Sequence, residues 1–427
     1  MSGSARPGTL AGWLSRLETL HPSSIALGLD RVRSVFERMQ LVVRVPVFVV
    51  GGTNGKGSTT GMIEAMLRAG GYRTGLYTSP HLLRYNERVR VDGVDVSDQA
   101  LIEAFGRVED ARVAAADVPL TYFEFGTLAA LDLFARSSLD AWVLEVGLGG
   151  KLDAVNIVDG DVAVVTSVDL DHQDWLGDTR EAIGGEKAGI FRPGRPAICG
   201  DPDPPASVIA HAASIGATLV RIVTDYGGIV EGTQWRYFGP GGARYGLPVP
   251  ALRGAFQIGN AATAIAALSS ARDRLPLAAS AVRDGLVRVE VPGRFQVLPG
   301  RPTIVLDVAH NPHAARAVAD TLGTMGFHPS TTAVLGMVAD KDIGGVVRAL
   351  RPRIDVWRVA DLPGPRGASA DMLQGALLAE GVAPRSIHMH ASVDEALDAA
   401  RAEASEADRI IVFGSFLTVA AARLALP

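Results

Sequence analysis

Residues 45–68 read VPVFVVGGTNGKGSTTGMIEAMLR, in which a β-branched run is followed by a glycine-rich loop and then by a helical pattern. A strand, a glycine loop and a helix in this order form a cradle for phosphate groups, because backbone N–H groups point at the anion. Lys56 can neutralise phosphate charge, and Ser58 can bind magnesium. The strict P-loop pattern is not met, since Val50 replaces the first glycine and Gly57 separates the lysine from the serine. A plain glycine turn is the alternative interpretation.

The composition limits the classes of protein to which the chain can belong. Its 427 residues are 48% hydrophobic, which predicts two or three domains with sizeable cores. A net charge of −5 argues against a nucleic-acid binder and against a basic membrane-surface protein. No apolar run approaches the roughly 20 residues that span a bilayer. Cys199 is the single cysteine, which excludes an intrachain disulfide and fits the cytoplasm, where we expect the protein.

The pattern of short apolar runs predicts an α/β fold. Ala141–Val146 and Val162–Val168 each end at polar residues, as strands of a parallel sheet do. After residue 292 the pattern starts again, and the expected strands are Thr303–Leu306, Ala333–Leu335, Val356–Val359 and Arg409–Phe413. We therefore expect a P-loop domain over residues 1–295 and a smaller Rossmann-like C-terminal domain over residues 296–427. Segment 220–250 is rich in Gly, Tyr and Trp and is expected to form short antiparallel strands or an excursion loop.

Polar residues follow these strands where chemistry is usually found in open α/β sheets. Glu145 ends one apolar run, and a carboxylate there is costly unless it is paired or bound to a metal. Asp169, Asp171 and His172 follow the next run, and oxygen ligands suit magnesium. Ser79 lies in a T-S-P-H loop and offers another hydroxyl. Taken alone, the histidine reads as a hydrogen-bonded loop residue and the serine as part of a turn.

Four further residues are candidates for the chemistry, each with a plainer alternative. Lys187 lies in G-E-K-A-G-I, late in a short helix; it is either an exposed helix lysine or a buried amine that reacts with carbon dioxide. Arg294 follows Pro-Gly and can stabilise phosphoryl transfer or lie on a surface turn. Asp307 ends a predicted strand, where it can bind ribose hydroxyls or cap the next helix. His310 can stack on a base or reach a phosphate.

These motifs, taken in chain order, resemble the Mur ligase superfamily and specifically its folate branch. The segments that carry the resemblance are G-T-N-G-K-G-S, T-S-P-H-L, E-V-G-L-G-G, E-K-A-G-I, N-A-A-T-A, P-G-R-F and D-V-A-H-N-P-H, between about residues 13 and 419. H-P-S-S-I-A-L-G-L-D-R-V and T-Y-F-E-F-G-T are similar to the bifunctional bacterial type. The resemblance implies an ATP- and Mg²⁺-dependent ligase. It would join L-glutamate to dihydropteroate, forming dihydrofolate, and to the γ-carboxylate of tetrahydrofolates, through an acyl phosphate.

The resemblance also implies roles for individual residues. The implied ATP contacts are Gly55, Lys56, Gly57, Ser58, Asn260, Arg294 and Asp307. The implied magnesium ligands are Ser79, Glu145 and His172. The implied pterin-binding residues are Ile25, Leu27, Thr121, Tyr122, Phe123, Asp153 and Ala154. The implied catalytic residues are Lys56, a carbamylated Lys187, Arg294 and His310.

The chain departs from the family pattern at three positions. Lys151 replaces a usual arginine, Val155 replaces a common threonine, and Leu417 stands where close relatives often have histidine, which leaves the glutamate contacts unassigned. The main alternative function is a monofunctional folylpolyglutamate synthase. A cell-wall Mur ligase would lack the folate-type start, and a nucleotide-dependent switch would not need Lys187 and His172. We expect a monomer.

Overall fold

The computed structural model describes residues 6–23 and 25–426. It divides into two compact units, and each forms its own sheet. The first unit comprises Met1–Pro250 and Gly259–Val289, and the second comprises Ala251–Ile258 and Glu290–Pro427. The single domain boundary that we expect between residues 295 and 296 stays a prediction.

The first unit is built on an eight-stranded, mainly parallel sheet with a separate three-stranded antiparallel sheet. The strands of the larger sheet are β1 (Val47–Gly51), β2 (Thr74–Tyr77), β3 (Val89–Val91), β4 (Val94–Asp95), β5 (Ala141–Glu145), β6 (Val162–Val165), β7 (Pro196–Cys199) and β8 (Thr218–Arg221). The smaller sheet consists of β9 (Gly227–Glu231), β10 (Gln234–Phe238) and β11 (Arg244–Pro248), as expected for segment 220–250. The helices are α1 (Leu10–Leu20), α2 (Asp30–Met39), α3 (Lys56–Ala69), α4 (Asp98–Ala114), α5 (Tyr122–Arg136), α6 (Gln173–Leu176), α7 (Arg180–Ala188), α8 (Ala206–Ile215), α9 (Phe256–Ser270) and α10 (Ala279–Arg288).

Strand β1 lies in the middle of the larger sheet, whose order is β4-β3-β2-β5-β1-β6-β7-β8. All its residues are buried, which explains why it reads as a continuous apolar run instead of an alternating one. It pairs in parallel with β5, where Val50 faces Glu145, and with β6, where Gly51 faces Val165. The loops that follow these three strands therefore meet at one edge of the sheet.

The second unit is a smaller α/β domain around a six-stranded sheet of order β12-β13-β17-β14-β15-β16. Its strands are β12 (Gln296–Leu298), β13 (Thr303–Asp307), β14 (Thr331–Leu335), β15 (Val356–Ala360), β16 (Ile387–His390) and β17 (Arg409–Phe413). Its helices are α11 (Pro312–Thr324), α12 (Ile343–Leu350), α13 (Ala370–Ala379), α14 (Val393–Glu403) and α15 (Phe416–Ala425). Only β12 is antiparallel to its neighbour among these described strands, so the predicted Rossmann-like pattern is confirmed.

The largest difference between a predicted strand and the observed one is at β6. The apolar pattern predicts a strand over Val162–Val168, whereas β6 ends at Val165. The next two residues leave the sheet because their hydroxyl groups hydrogen-bond to the loop after β1. Among the helices of residues 6–23 and 25–426, none is both long and apolar enough to cross a membrane.

We predict that Gly285→Ala destabilises the protein. Gly285 lies on α10 against α3, and a Cβ there would come within 2.5 Å of the Met66 Cα atom. The backbone of α3 would have to shift to make room for the added methyl group. We therefore expect the free energy of unfolding, measured in urea titrations, to fall by about 1–3 kcal/mol.

The matched control is Gly106→Ala on α4, where the nearest atom to an added Cβ is 3.9 Å away. This change should be neutral or stabilise the protein by up to about 1 kcal/mol. Equal unfolding free energies for the two variants would show that the α3–α10 contact does not require a glycine.

Candidate active site

The loop between β1 and α3 needs glycine at two positions. Gly52 and Gly55 have φ angles of +146° and +87°, which other residues adopt at a cost. A Cβ on Gly52 would lie 1.9 Å from Thr166 Oγ1, and one on Gly55 would lie 2.8 Å from Asn260 Oδ1. The predicted ATP contact Asn260 thus lies directly against the loop.

Side chains and backbone that follow β6 hold this loop in place. The Thr53 N–H donates to the Ser167 carbonyl at 2.7 Å, and the Asn54 N–H donates to Ser167 Oγ at 3.0 Å. Thr166 Oγ1 in turn donates to the Asn54 carbonyl at 2.7 Å. The sequence interpretation missed Thr166 and Ser167, although two hydroxyl residues directly after a buried strand are a signal for such a role. The loop is therefore shaped before any phosphate arrives.

Lys56 and Ser58 lie in the first turn of α3, as the loop pattern predicts. The Lys56 amine donates to the carbonyls of Gly52 at 2.9 Å and Thr53 at 3.2 Å. Ser58 is buried at the same helix terminus. A cation above the loop and the N–H groups of a helix N-terminus together favour an anion at this position.

The structure brings two of the three predicted metal ligands together. Glu145, the last residue of β5, is only 3% exposed, and its Oε2 atom accepts from the Ser79 N–H at 3.4 Å. His172 follows β6 with a left-handed φ of 52°, and its Nε2 atom lies 3.9 Å from Asp171 Oδ1.

A magnesium ion fits this set because it keeps several waters and needs only one or two protein carboxylates besides phosphate oxygens. Within residues 6–23 and 25–426, no group of three or more His, Cys, Asp or Glu side chains is arranged to hold a metal by itself. The buried carboxylate of Glu145 beside Ser79 is nevertheless the kind of partial oxygen site that a nucleotide-bound ion completes.

Lys187 lies near the end of α7 and is only 4% exposed. Its burial, together with the positive charge of Lys56, lowers the pKa of the Lys187 amine to about 7. The carboxylates of Asp171 and Asp153 act in the opposite direction. The plainer interpretation of Lys187 as an exposed helix lysine is therefore wrong.

Asp153 is the acidic member of the same group of charges. Burial raises its pKa to about 6, although N–H groups from Leu148 and Val155 donate to it at 2.8 and 2.9 Å and Lys56 is near. Two lysines and two aspartates from four segments of the chain thus interact at the edge where β1, β5 and β6 end.

The predicted pterin residues also come together from three segments. The Gly28 N–H donates to the Leu152 carbonyl at 3.3 Å, which joins the segment of Ile25 and Leu27 to that of Asp153 and Ala154. The third segment begins with Thr121, the N-cap of α5, and continues with Tyr122 and Phe123. The Phe123 ring lies 6.1 Å from that of Tyr77 and covers Gly147, where a Cβ would be 2.5 Å from it. Phe123 thus packs the third segment against the residues that follow β5.

A buried arginine beside Tyr122 was missed from the sequence. The Arg88 Nε–H donates to His81 Nδ1 at 2.8 Å, and its guanidinium lies over the rings of Tyr85 and Tyr122 at 5.3 and 5.6 Å. Burial, with the charge of Arg88, lowers the pKa of His81 to about 4, so the imidazole is a neutral acceptor. No carboxylate of the described residues forms an ion pair with Arg88, which makes it a candidate for binding an anionic substrate.

The second unit holds its own set of predicted residues where β13 ends. Asp307 is 6% exposed and accepts from the N–H groups of Phe295 and Ala309, each at 2.7 Å. Burial raises the pKa of Asp307, while nearby Arg294 acts to lower it. His310 Nδ1 donates to the Val308 carbonyl at 2.8 Å, which fixes the orientation of its ring. Asp307 thus fixes the loop instead of merely capping the following helix, which Asn311 caps.

Two features position Arg294. Its guanidinium lies 5.3 Å from the ring of Phe416, the first residue of α15. Gly293 has a φ of +69°, and a Cβ on it would meet Val308 Cγ1 at 2.9 Å. Leu417, next to Phe416, is 52% exposed, and the structure assigns it no polar contact. The second unit therefore presents an oriented arginine, a carboxylate and an imidazole close together in sequence and in the fold.

Comparison with known proteins identifies both parts of the chain. The model of the Mur ligase middle domain matches residues 50–268, and that of the Mur ligase, glutamate ligase domain matches residues 293–416. The chain is 46% identical to the dihydrofolate synthase/folylpolyglutamate synthase of Escherichia coli K12, over 96% of this chain and 94% of that protein.

Solved structures give the same result. A structure of E. coli FolC in complex with DHPP and ADP has a TM-score of 0.92 at 45% identity, covering 99% of this chain and 98% of the other. A bifunctional folylpolyglutamate synthase/dihydrofolate synthase with Mn, AMPPNP and L-glutamate bound has a TM-score of 0.90 at 46% identity, covering all of both chains. The chain therefore belongs to the Mur ligase family and, within it, to the dihydrofolate synthase/folylpolyglutamate synthases.

Proposed function

We propose that this chain uses ATP to join L-glutamate to two acceptors: dihydropteroate, giving dihydrofolate, and the γ-carboxylate of tetrahydrofolates. The observation that carries the proposal is an electrostatic interaction between the proposed pterin-binding segment and the nucleotide loop. Asp153 belongs to the pterin-side segment and also interacts electrostatically with Lys56 of the nucleotide loop. An acceptor seated on Phe123 therefore has its carboxylate end directed toward ATP phosphates.

The reaction proceeds in two steps. A carboxylate oxygen of the acceptor attacks the γ-phosphorus of ATP, the bond to the bridging oxygen breaks, and ADP leaves. The amine of glutamate then attacks the acyl carbon, loses a proton, and expels inorganic phosphate from the tetrahedral intermediate. Lys56 stabilises the negative charge that develops on the phosphate oxygens, and the preformed loop holds them in position.

Magnesium would supply charge stabilisation at the ATP phosphates, and the residues that would hold it are Ser79, Glu145 and His172. We assign Gly55, Gly57, Ser58 and Asn260 of the first unit to ATP, together with Arg294 and Asp307 of the second unit. His310 is assigned a catalytic role. Ile25, Leu27, Thr121, Tyr122 and Ala154 complete the pterin pocket. Arg88 is assigned to an acceptor carboxylate, because it is buried beside Tyr122.

Lys187 is assigned a carbamate. A neutral amine is the reactive form, and a pKa near 7 supplies it at neutral pH. The neutral amine nitrogen bonds to the carbon of CO₂ and releases a proton, which converts the buried amine into an anion. That anion would attract the nearby cation of Lys56 and hold it in place. A monomer in the cytoplasm remains part of this proposal.

The bifunctional assignment is tested by measuring ADP release from the purified protein with ATP and glutamate. We expect release with dihydropteroate alone and with tetrahydrofolate alone, and a glutamylated product from each by mass spectrometry. If dihydropteroate gives no release while tetrahydrofolate does, the chain is a monofunctional folylpolyglutamate synthase.

We predict that Phe123→Ala raises the KM for dihydropteroate at least about tenfold, because the flat pterin loses its stacking surface. The KM for ATP should stay within about twofold, since Phe123 is on the acceptor side. Phe123→Leu keeps apolar volume without the aromatic face and should be intermediate. A KM for dihydropteroate that is unchanged in Phe123→Ala would remove this residue from the pterin pocket.

We predict that Lys187→Met stabilises the protein in CO₂-free buffer, and more strongly at pH 7.5 than at pH 9.5. The pKa of Lys187 is about 7 in the folded protein and 10.5 ordinarily. Between these two pH values the Lys187 amine is therefore protonated in the unfolded chain and neutral in the folded protein. Wild-type stability therefore falls as pH falls from about 10.5 to 7, and the variant lacks this loss. The stability gain should be about 2 kcal/mol larger at pH 7.5 than at pH 9.5, in urea titrations.

Lys151→Met is the control for this measurement, because the Lys151 side chain is exposed. Its difference from wild type should be the same at both pH values. A pH-independent difference for Lys187→Met as well would mean that the buried amine stays protonated throughout.

A further inference from the structure

The first unit contains a cavity of about 310 Å³ that the proposed reaction does not use. It lies at the C-terminal end of α9, and its lining includes Arg244, Ile265, Ser269, Leu277 and Val282. Ser269 is nine residues beyond Asn260 on α9, which places it about 14 Å along the helix from the nucleotide loop. The volume is in the range of small-molecule sites.

Two polar groups in the wall lack partners among the described residues. Ser269 is only 7% exposed, and its hydroxyl has no hydrogen bond. The Tyr237 hydroxyl lies near Ser269 but donates its own hydrogen bond to the Pro240 carbonyl at 3.2 Å, and the Ser269 hydroxyl has no partner of hydrogen-bonding geometry in the described part of the chain. The Nε–H of Arg244 is likewise buried without an acceptor. Leaving such groups unpaired costs stability, typically about 1–3 kcal/mol each.

The remaining wall is mainly apolar, with a positive charge on one side. Ile265, Leu277 and Val282 supply the apolar surface. Arg272 and Asp273 also line the cavity, and they neutralise each other as an ion pair at 3.8 Å. Arg244, in contrast, forms no ion pair with any residue of the described chain. The cavity therefore presents an unneutralised guanidinium and a hydroxyl beside an apolar surface.

We propose that this cavity is a second ligand site that binds a small amphipathic anion. The carboxylate or phosphate of the ligand accepts hydrogen bonds from Arg244 and Ser269, and its apolar body packs on Ile265, Leu277 and Val282. A guanidinium suits both kinds of anion, because its N–H groups match two oxygens at once. Water alone would satisfy the polar groups but would leave the apolar surface unused.

Calorimetric titration of the full chain, saturated with AMPPNP to occupy the nucleotide site, tests the proposal. Benzoate and phenyl phosphate are the two anionic probes, and benzyl alcohol is the neutral probe of similar shape. We expect at least one anion to bind with one-to-one stoichiometry and at least about tenfold more tightly than benzyl alcohol. The tighter anion identifies whether the natural ligand carries a carboxylate or a phosphate.

Variants locate the binding. Arg244→Gln should weaken it at least about tenfold, while Arg283→Gln should leave it unchanged, because Arg283 is exposed on α10 and donates to the Tyr245 carbonyl outside the cavity. Ser269→Val places methyl groups in the cavity and should also weaken binding, which covers the case in which Arg244→Gln does not fold. The proposal is overturned if neither anion binds, if benzyl alcohol binds equally well, or if the folded cavity variants bind as the wild type does.

Discussion

The site depends on the burial of opposite charges at one edge of a parallel sheet. Lys187 and Asp153 are buried there, Lys56, Asp171 and Asp153 act on the pKa of Lys187, and Lys56 acts on the pKa of Asp153. Strand β1 is buried and pairs in parallel with β5 and β6, so the loops that follow the three strands begin at the same edge of the sheet. A site of this kind is organised before substrate binds, which is what catalysis by electrostatic stabilisation requires.

In each unit a buried aspartate carboxylate holds a loop in place through hydrogen bonds. Asp153 accepts two backbone N–H groups in the first unit, and Asp307 does the same in the second. Burial raises the pKa of each, and a neighbouring cation acts against that rise. Holding a carboxylate in this way costs stability, but it defines the path of a loop that carries substrate-binding groups. Each unit thus uses a buried carboxylate that accepts backbone N–H groups to fix a loop.

Local sequence patterns predicted the parts of the structure that local physics determines. The strand–loop–helix at residues 45–68 could be read directly, because apolar content, glycine and helical periodicity are all local. Arg409–Phe413 was predicted to the residue for the same reason. The hydrogen bonds of Thr166 and Ser167 to the loop after β1 were not predicted, and neither was the Arg88–His81 pair. These contacts join residues that are separated in sequence and meet only in the folded chain. The pKa of Lys187 likewise depends on burial, which no neighbouring residue in the sequence reveals.

The central claim is that the buried amine of Lys187 is neutral near pH 7 and becomes a carbamate. Carbon-13 NMR of the protein in ¹³C-bicarbonate tests it most directly. The account predicts a protein-bound carbamate resonance in the wild type that is absent in Lys187→Met and retained in Lys151→Met. A spectrum without that resonance, or one in which it survives in folded Lys187→Met, would contradict the account.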